Sequence, residues 1–373
     1  MELVKLDTVV VGGGVIGLAC ARALGQEGHS VTVLESASLL GEGISSRNSG
    51  VIHAGIYYPP KSKKAFHCVR GRQRLYGYLE DRALSYHRSG KIVVAASETE
   101  IPRLLDLKIN AETAGVDNLK LVTPSWLKRN EPEIFAPLAL LSPDSGWVDA
   151  TAFIQSLEAD IQRQGGQIVL QSKVSSIGRA GKSFELLLSG QDIIIQCSQV
   201  VLAAGLGMDQ LLAGCPAELE AKFPKQVWAR GSYFVLQGKS PFSRHIYPLP
   251  VEGGLGVHAT LDGSGGVKFG PDVEWLDTTN EEAGLFDVDE SRKSLFVSAI
   301  RAYWPGVVDA KLLPGYAGIR PKLCGPAGGF SDFGILGPSH HGIENLVCLT
   351  GIESPGLTAA FSIADEAVNL ISG

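Results

Sequence analysis

The stretch Asp7-Thr8-Val9-Val10-Val11-Gly12-Gly13-Gly14-Val15-Ile16-Gly17 lies almost at the start of the chain. Its run of three valines ends directly in glycine, the pattern of a parallel strand buried on both faces. Gly12, Gly14 and Gly17 fit G-x-G-x-x-G: the first for the tight turn, the second for close approach of a pyrophosphate to the backbone, the third for packing helix against strand. Ala19, Cys20, Ala23 and Leu24 then recur at helical spacing from Val15 onward, and Gly28 stops the helix. A β-branched strand over 30–34 ends on Glu35, followed by Ser36. A carboxylate there accepts hydrogen bonds from ribose hydroxyls and disfavours a 2′-phosphate. Strand, turn, helix, strand and acid make one βαβ unit, with the helix N-terminus aimed at phosphates.

Outward from this unit, residues 41–60, GEGISSRNSGVIHAGIYYPP, read as a long irregular stretch of a length that argues for function. Helices are expected over 61–81 and 149–164, and strands over 167–174, 184–188, 192–196 and 200–205. From 232 to 269 the chain alternates as β with Gly-rich turns, and the end returns to α/β with a strand over 345–349 and a helix over 357–370. α/β pieces at the start, middle and end, with β-rich pieces between, imply discontinuous domains.

A chain of 373 residues exceeds the size at which one core usually stops growing, so two joined domains are expected. The 45 glycines are about 12% against a usual ~7%, and many sit in clusters where a backbone could approach a ligand. A net charge of −6 without a block of like charge excludes a nucleic-acid footprint. Cys20, Cys68, Cys197, Cys215, Cys324 and Cys348 show no C-x-x-C, and His340-His341 has no spaced third ligand, so reduced thiols and no metal site are expected. No apolar stretch of membrane-spanning length occurs, and Met1 runs almost directly into the first strand. The expectation is a protein cytoplasmic if bacterial, with peripheral contact at the inner membrane left open, or mitochondrial if eukaryotic with a removed presequence.

NAD needs little more than the βαβ unit, whereas FAD is longer and must be cradled by distant segments. Thr350-Gly351-Ile352-Glu353-Ser354-Pro355-Gly356 supplies one, with Ser354 as N-cap and Pro355 at N1 of the last helix. Its N–H donors suit the pyrimidine side of a reduced flavin.

Ser46-Arg47-Asn48-Ser49 running into His53-Ala54-Gly55-Ile56-Tyr57-Tyr58, Tyr247-Pro248-Leu249-Pro250, Gly256-Val257-His258, Gly315-Tyr316-Ala317-Gly318-Ile319-Arg320-Pro321-Lys322 and Gly351-Ile352-Glu353-Ser354-Pro355-Gly356-Leu357-Thr358 resemble the L-2-hydroxyglutarate dehydrogenases of the D-amino-acid-oxidase-like flavoprotein superfamily. The resemblance covers nearly the whole chain. One departure is Gly270-Pro271-Asp272-Val273, where animal and enterobacterial members read GPNA. The resemblance implies an α/β fold: a GR2-type, Rossmann-like FAD-binding domain (1–80, 148–220 and 322–373) with an interleaved α+β substrate domain (81–147 and 221–321) on a mostly antiparallel sheet. It also implies Val174 at the adenine, Ala204-Gly205 beside the pyrophosphate, and Ser46, Arg47, Asn48 and Ser49 along the flavin. Gly351, Ile352, Glu353, Gly356 and Leu357 complete the cofactor set, and the FAD is expected to be non-covalent.

Oxidation of a 2-hydroxy acid needs a base for the hydroxyl proton while the Cα hydrogen leaves as hydride to flavin N5. His258 is the first candidate, because alternation turns Val257 and Ala259 the other way; His53, in the flavin-lining loop, is the second. Arg320 matches the arginine with which relatives bind a carboxylate, a task its bidentate fork fits. A second anchor for a dicarboxylate is open among Lys322, Arg230, Tyr58 and Tyr233. The expected reaction is L-2-hydroxyglutarate to 2-oxoglutarate, with amine or amino-acid oxidation, glycerol-3-phosphate oxidation and a non-enzymatic flavin-binding subunit as alternatives. With no second dinucleotide fingerprint and no redox cysteine pair, electrons leave to a quinone, a carrier protein or oxygen.

Overall fold

The computed structural model describes residues 2–250, 256–276 and 285–372. Residues 251–255, within the β-rich stretch 232–269, and 277–284, within the expected substrate domain, lie outside the described residues.

The first sheet is built around Glu2–Val11, which pairs in parallel with Val31–Leu34 on one side and Ile193–Leu202 on the other. Leu346–Thr350 adds in parallel to the far edge of Ile193–Leu202, and Gln167–Val169 to Val31–Leu34. Val11, Leu34, Leu202 and Cys348 stand in register; the first three end their strands and the fourth strand runs on to Thr350, so all four finish at one edge. The valine run is buried on both faces, as read. Val10, Val33 and Val201 pack with Leu18 and Leu24 of helix Val15–Gln26, Phe153 and Leu157 of Ala150–Arg163, Leu75 of Lys63–Asp81 and Ala359 and Ile363 of Gly356–Ser372. Val9, Val11, Val200 and Leu202 pack on the other side with Ile177, Phe184, Leu211 and Leu212.

Two expectations are corrected here. The strands read at 192–196 and 200–205 are one strand, Ile193–Leu202, because Glu2–Val11 offers it a partner from Glu2↔Ile193 to Val11↔Leu202. Its polar middle is accommodated by Gln199, whose side chain accepts from Thr8 Oγ1 at 2.9 Å. The strand read at 167–174 stops at Val169, and the chain turns through Gln171 at φ +51° before Val174–Ala180 starts an antiparallel pair with Ser183–Leu188.

The second sheet has the order Glu274–Leu276, Val227–Leu236, Val267–Phe269, Ala259–Leu261, His245–Pro248, Lys91–Ala95, Leu138–Ser142, Lys120–Val122, with Leu312–Lys322 also along Val227–Leu236. Its described pairs are antiparallel except His245–Pro248 with Lys91–Ala95. Phe234, Phe269, Phe296 and Trp304 fill the core on one face. Gly334–Leu336, antiparallel to Leu346–Thr350 in the first sheet, and a small sheet of Val51–Ile52, Gly146–Val148 and Tyr86–His87 complete the β-structure described. Among the described residues no helix is long and apolar enough to cross a membrane.

Three helices are tied at Asp160, a carboxylate only 3% exposed. It accepts from Arg22 Nε at 2.7 Å, Arg82 Nη1 at 2.6 Å and Tyr78 Oη at 3.0 Å, and pairs with Arg163. Burial pushes this carboxyl up, but the hydrogen bonds and charges of Arg22, Tyr78 and Arg82 outweigh it and hold it below the ordinary aspartate value. Asp160→Asn is expected to cost roughly 1–3 kcal/mol at neutral pH, read from the urea unfolding midpoint. The folded-state pKa lies below the unfolded one, so the difference between the two proteins is complete above about pH 4 and shrinks as pH falls below that.

Candidate active site

The carboxyl edge of the first sheet and one face of the second enclose a cavity of about 1060 Å³. At its dinucleotide end Gly12 adopts φ +111°, and a β-carbon there would come within 2.4 Å of the Ala203 carbonyl oxygen. A β-carbon at Gly17 would come within 1.9 Å of the Gly12 carbonyl oxygen. Gly17 is therefore a packing residue and does not line the cavity, while Gly12, Gly14 and Val15 do. Gly14 occupies the N-cap of helix Val15–Gln26 without a side-chain cap, and the Val15 amide is taken by Ser45 Oγ at 3.0 Å. Glu35 accepts from the Gly13 amide at 2.5 Å and the Ala37 amide at 2.7 Å, bracing the glycine turn while its residue faces the cavity.

Ser36, Arg47, Asn48, Ser49, Val174, Ala204, Gly205, Gly351, Ile352, Glu353, Gly356 and Leu357 all line the cavity. Ser46 is corrected: its hydroxyl turns back to the Glu42 carbonyl at 2.8 Å, and its neighbour Ser45 faces the cavity. The expected capping by Ser354 is also corrected. The last helix starts at Gly356, whose amide closes a turn onto the Glu353 carbonyl at 2.6 Å, so Ser354 and Pro355 precede it.

Strand alternation sorts the substrate candidates. Gly231 and Tyr233 of Val227–Leu236 line the cavity; Arg230, of the opposite parity, does not, and pairs with Glu274 at 2.8 Å. Gly318, Arg320 and Lys322, two apart on Leu312–Lys322, all reach it. Arg320 Nη2 donates to the Asp272 carbonyl at 2.5 Å and the Arg230 carbonyl at 3.2 Å. Lys322 Nζ lies 2.5 Å from Glu353, and Lys64, which sequence reasoning passed over, lies 2.7 Å from the same oxygen. Burial would raise the Glu353 carboxyl, yet Lys64, Lys322 and Arg320 together hold it below the ordinary value. Tyr57 Oη, Gln226 Oε1 and Arg320 Nε are buried without a hydrogen-bond partner among the described residues, and all three residues line the cavity. No signal short of the fold marks Gln226, and Tyr57 is marked in the sequence only as part of the motif from His53 to Tyr58.

His53 and His258 both line the cavity. His53 Nε2 lies 3.3 Å from Ser354 Oγ, and its amide donates to Thr358 Oγ1 at 3.0 Å. Burial first, then the charges of Lys91, His258 and His245, hold its imidazole well below the ordinary histidine value. His258 precedes strand Ala259–Leu261 and stacks on Tyr247, ring centroids 3.5 Å apart, while Val257 and Ala259 enter the apolar core. Tyr58 and Tyr233 line the cavity too, Tyr233 stacked on Tyr316 at 4.6 Å.

The family model for FAD dependent oxidoreductases matches residues 7–370, and the chain belongs to that family. The mitochondrial L-2-hydroxyglutarate dehydrogenase of Arabidopsis thaliana is 40% identical over 403 residues, covering 98% of this chain and 83% of the plant protein. The human protein of the same name is 30% identical, covering 96% of this chain and 87% of its own. The dithionite-reduced L-α-glycerophosphate oxidase of Mycoplasma pneumoniae, solved with FAD bound, shares the fold with a TM-score of 0.87 at 24% identity, over 100% of this chain and 96% of that one.

Gly12→Ala is expected to displace the glycine turn from the Ala203 carbonyl, because both the positive φ and the 2.4 Å approach exclude a β-carbon. The variant should purify with little or no flavin, measured as the visible absorbance per mole of protein.

Proposed function

We propose that this protein holds FAD non-covalently in the cavity and oxidises L-2-hydroxyglutarate to 2-oxoglutarate. The observation that carries the substrate class is the charge balance next to Ser354 and His53. Lys64, Lys322 and Arg320 set three cations against the one carboxylate of Glu353, an excess of two positive charges that a dicarboxylate neutralises. Arg320 Nε has no hydrogen-bond partner among the described residues, which leaves guanidinium capacity for a carboxylate, and Tyr58 and Tyr233 also line the cavity.

The cavity suits FAD because a β-carbon at Gly12 has no room, buried polar atoms at Tyr57 and Gln226 lack partners among the described residues, and its lining includes both Glu35 and Leu357. Gly12, Gly14 and Val15 would take the pyrophosphate with Ala204 and Gly205, Glu35 and Ser36 the ribose, and Val174 the adenine. Arg47, Asn48, Ser49 and residues 351–357 would take the flavin end. Glu35, although it accepts two amides and the Ser36 hydroxyl, keeps a lone pair for a ribose hydroxyl. When bound, FAD supplies a two-electron acceptor, so that a 2-hydroxy acid losing its hydroxyl proton and a hydride becomes a 2-oxo acid. Electrons then leave to a quinone, a carrier protein or oxygen. The first sheet with its helices corresponds to the FAD-binding unit and the second sheet to the substrate unit.

His53 is the base in this reading, ahead of His258. Its ring is held between partners on both nitrogens, and its depressed pKa keeps it neutral with a lone pair at neutral pH. His258, stacked flat on Tyr247, forms the wall behind the substrate.

Under anaerobic conditions L-2-hydroxyglutarate is expected to bleach the flavin faster than 2-hydroxy monocarboxylates or 2-amino acids. Arg320→Lys should raise the concentration needed, because a fork becomes a point charge, and His53→Asn should slow reduction roughly a hundred-fold with FAD retained. A 2-amino acid that outpaces the hydroxy acid would overturn the substrate class. Acid precipitation is expected to release the flavin into the supernatant; colour remaining in the pellet would show a covalent link.

A further inference from the structure

Behind His53, on the side away from Ser354, stands Lys91 at the start of strand Lys91–Ala95. It is 1% exposed, and no carboxylate lies within ion-pair distance of it among the described residues. Its Nζ is 3.5 Å from His53 Nδ1, the long end of hydrogen-bond reach, and 4.0 Å from the centroid of the Tyr247 ring, with the Tyr57 ring at 5.6 Å. A buried lysine without a carboxylate is costly as a permanent charge and is retained where it exchanges a proton. The tautomer of a neutral imidazole is set by what its far nitrogen meets. An ammonium would donate to Nδ1 and force the proton onto Nε2, leaving no lone pair there. A neutral amine accepts from Nδ1–H and leaves Nε2 basic.

We propose that Lys91 is a positioning residue for His53: its neutral amine accepts the Nδ1–H hydrogen bond, keeps Nε2 basic, and takes the Nδ1 proton when Nε2 is protonated. This rests on His53 being the base. The balance is simple: the substrate O–H bond breaks and Nε2–H forms, Nδ1–H breaks and a third Nζ–H forms, and the positive charge comes to rest on Lys91. The Tyr247 and Tyr57 faces favour an ammonium at that spot, so the charge is accommodated without a carboxylate.

The surroundings leave Lys91 free to titrate. Burial brings its amine down to about 7. Helix Lys63–Asp81 presents Cys68, raised by burial to about 12, with Arg72 next to it and paired to Asp144 at 3.8 Å. Strand His245–Pro248 presents His245, lowered by burial to about 3, and Tyr247, which burial raises. Tyr57 is likewise raised by burial, and His258 stacks on Tyr247.

The test combines kinetics with a readout that needs no turnover. In wild-type holoenzyme the limiting rate of anaerobic flavin reduction by L-2-hydroxyglutarate should rise with pH through about 7 and then level, and the inflection should persist in His258→Asn. Lys91→Met should lose that inflection and fall on the order of tenfold or more. Lys91→Arg, a permanent donor, should be slower still above pH 8; rescue by arginine would overturn the proposal in favour of a purely electrostatic role. In parallel, imidazole ¹⁵N spectra of histidine-labelled holoenzyme, with His53→Asn for assignment, should show His53 protonated on Nδ1 at pH 8 and on Nε2 in Lys91→Arg. Wild-type protein protonated on Nε2 at pH 8 would overturn it even if Lys91→Met fails to fold. If L-2-hydroxyglutarate reduces the wild-type flavin at no pH, the substrate reading fails, and the tautomer alone decides the pair.

Discussion

The contact between the Gly12 turn and the Ala203 carbonyl governs how the cavity is built. Val11 and Leu202 lie side by side at the ends of parallel strands, and the chain leaving Val11 must cross directly over the chain leaving Leu202. With 2.4 Å between the Ala203 oxygen and any β-carbon at position 12, and a φ of +111°, only glycine passes. Leu34 ends in register with Cys348, whose strand runs two residues further to Thr350, so Glu35 and Gly351 both emerge at the same edge. The carboxyl end of the parallel sheet is thus one continuous rim, where open α/β sheets bind their ligands.

The opposite wall depends on alternation. Gly318, Arg320 and Lys322 come from one face of one strand, and Tyr233 with Gly231 from one face of its neighbour. A slip of one residue would turn Arg230 inward and Tyr233 into the core. The pairing of the two strands from Val227↔Lys322 onward is consequently a condition for the cation cluster to exist. Glu353 arrives from the rim of the other sheet and meets Lys64 from a helix N-terminus and Lys322 from the strand end. Three elements distant in sequence therefore meet at one buried carboxylate, which would be expensive to bury alone. Burial likewise holds the imidazole of His53 and the amine of Lys91 below their ordinary values.

What the sequence by itself determined was local. Three valines, spaced glycines, a helix of small residues and Glu35 specify a strand, turn, helix and strand because each signal acts within a few residues through backbone conformation and side-chain period. The family likeness extended this to the segments at 46–58, 315–322 and 351–358, all of which reach the cavity in part. Tertiary structure decided the rest. Whether 193–202 is one strand or two depended on Glu2–Val11 lying alongside it, and whether Ser45 or Ser46 faces inward depended on where the turn after Glu42 closes. Arg230 reads as good an anchor as Lys322 until strand parity assigns it to Glu274. Lys64, Gln226 and Lys91 carry no motif at all; only folding brings Lys64 to Glu353, Gln226 to Thr350 and Lys91 to His53. Electrostatic and hydrogen-bond partners between distant segments are set by register and packing, which no run of neighbouring residues encodes.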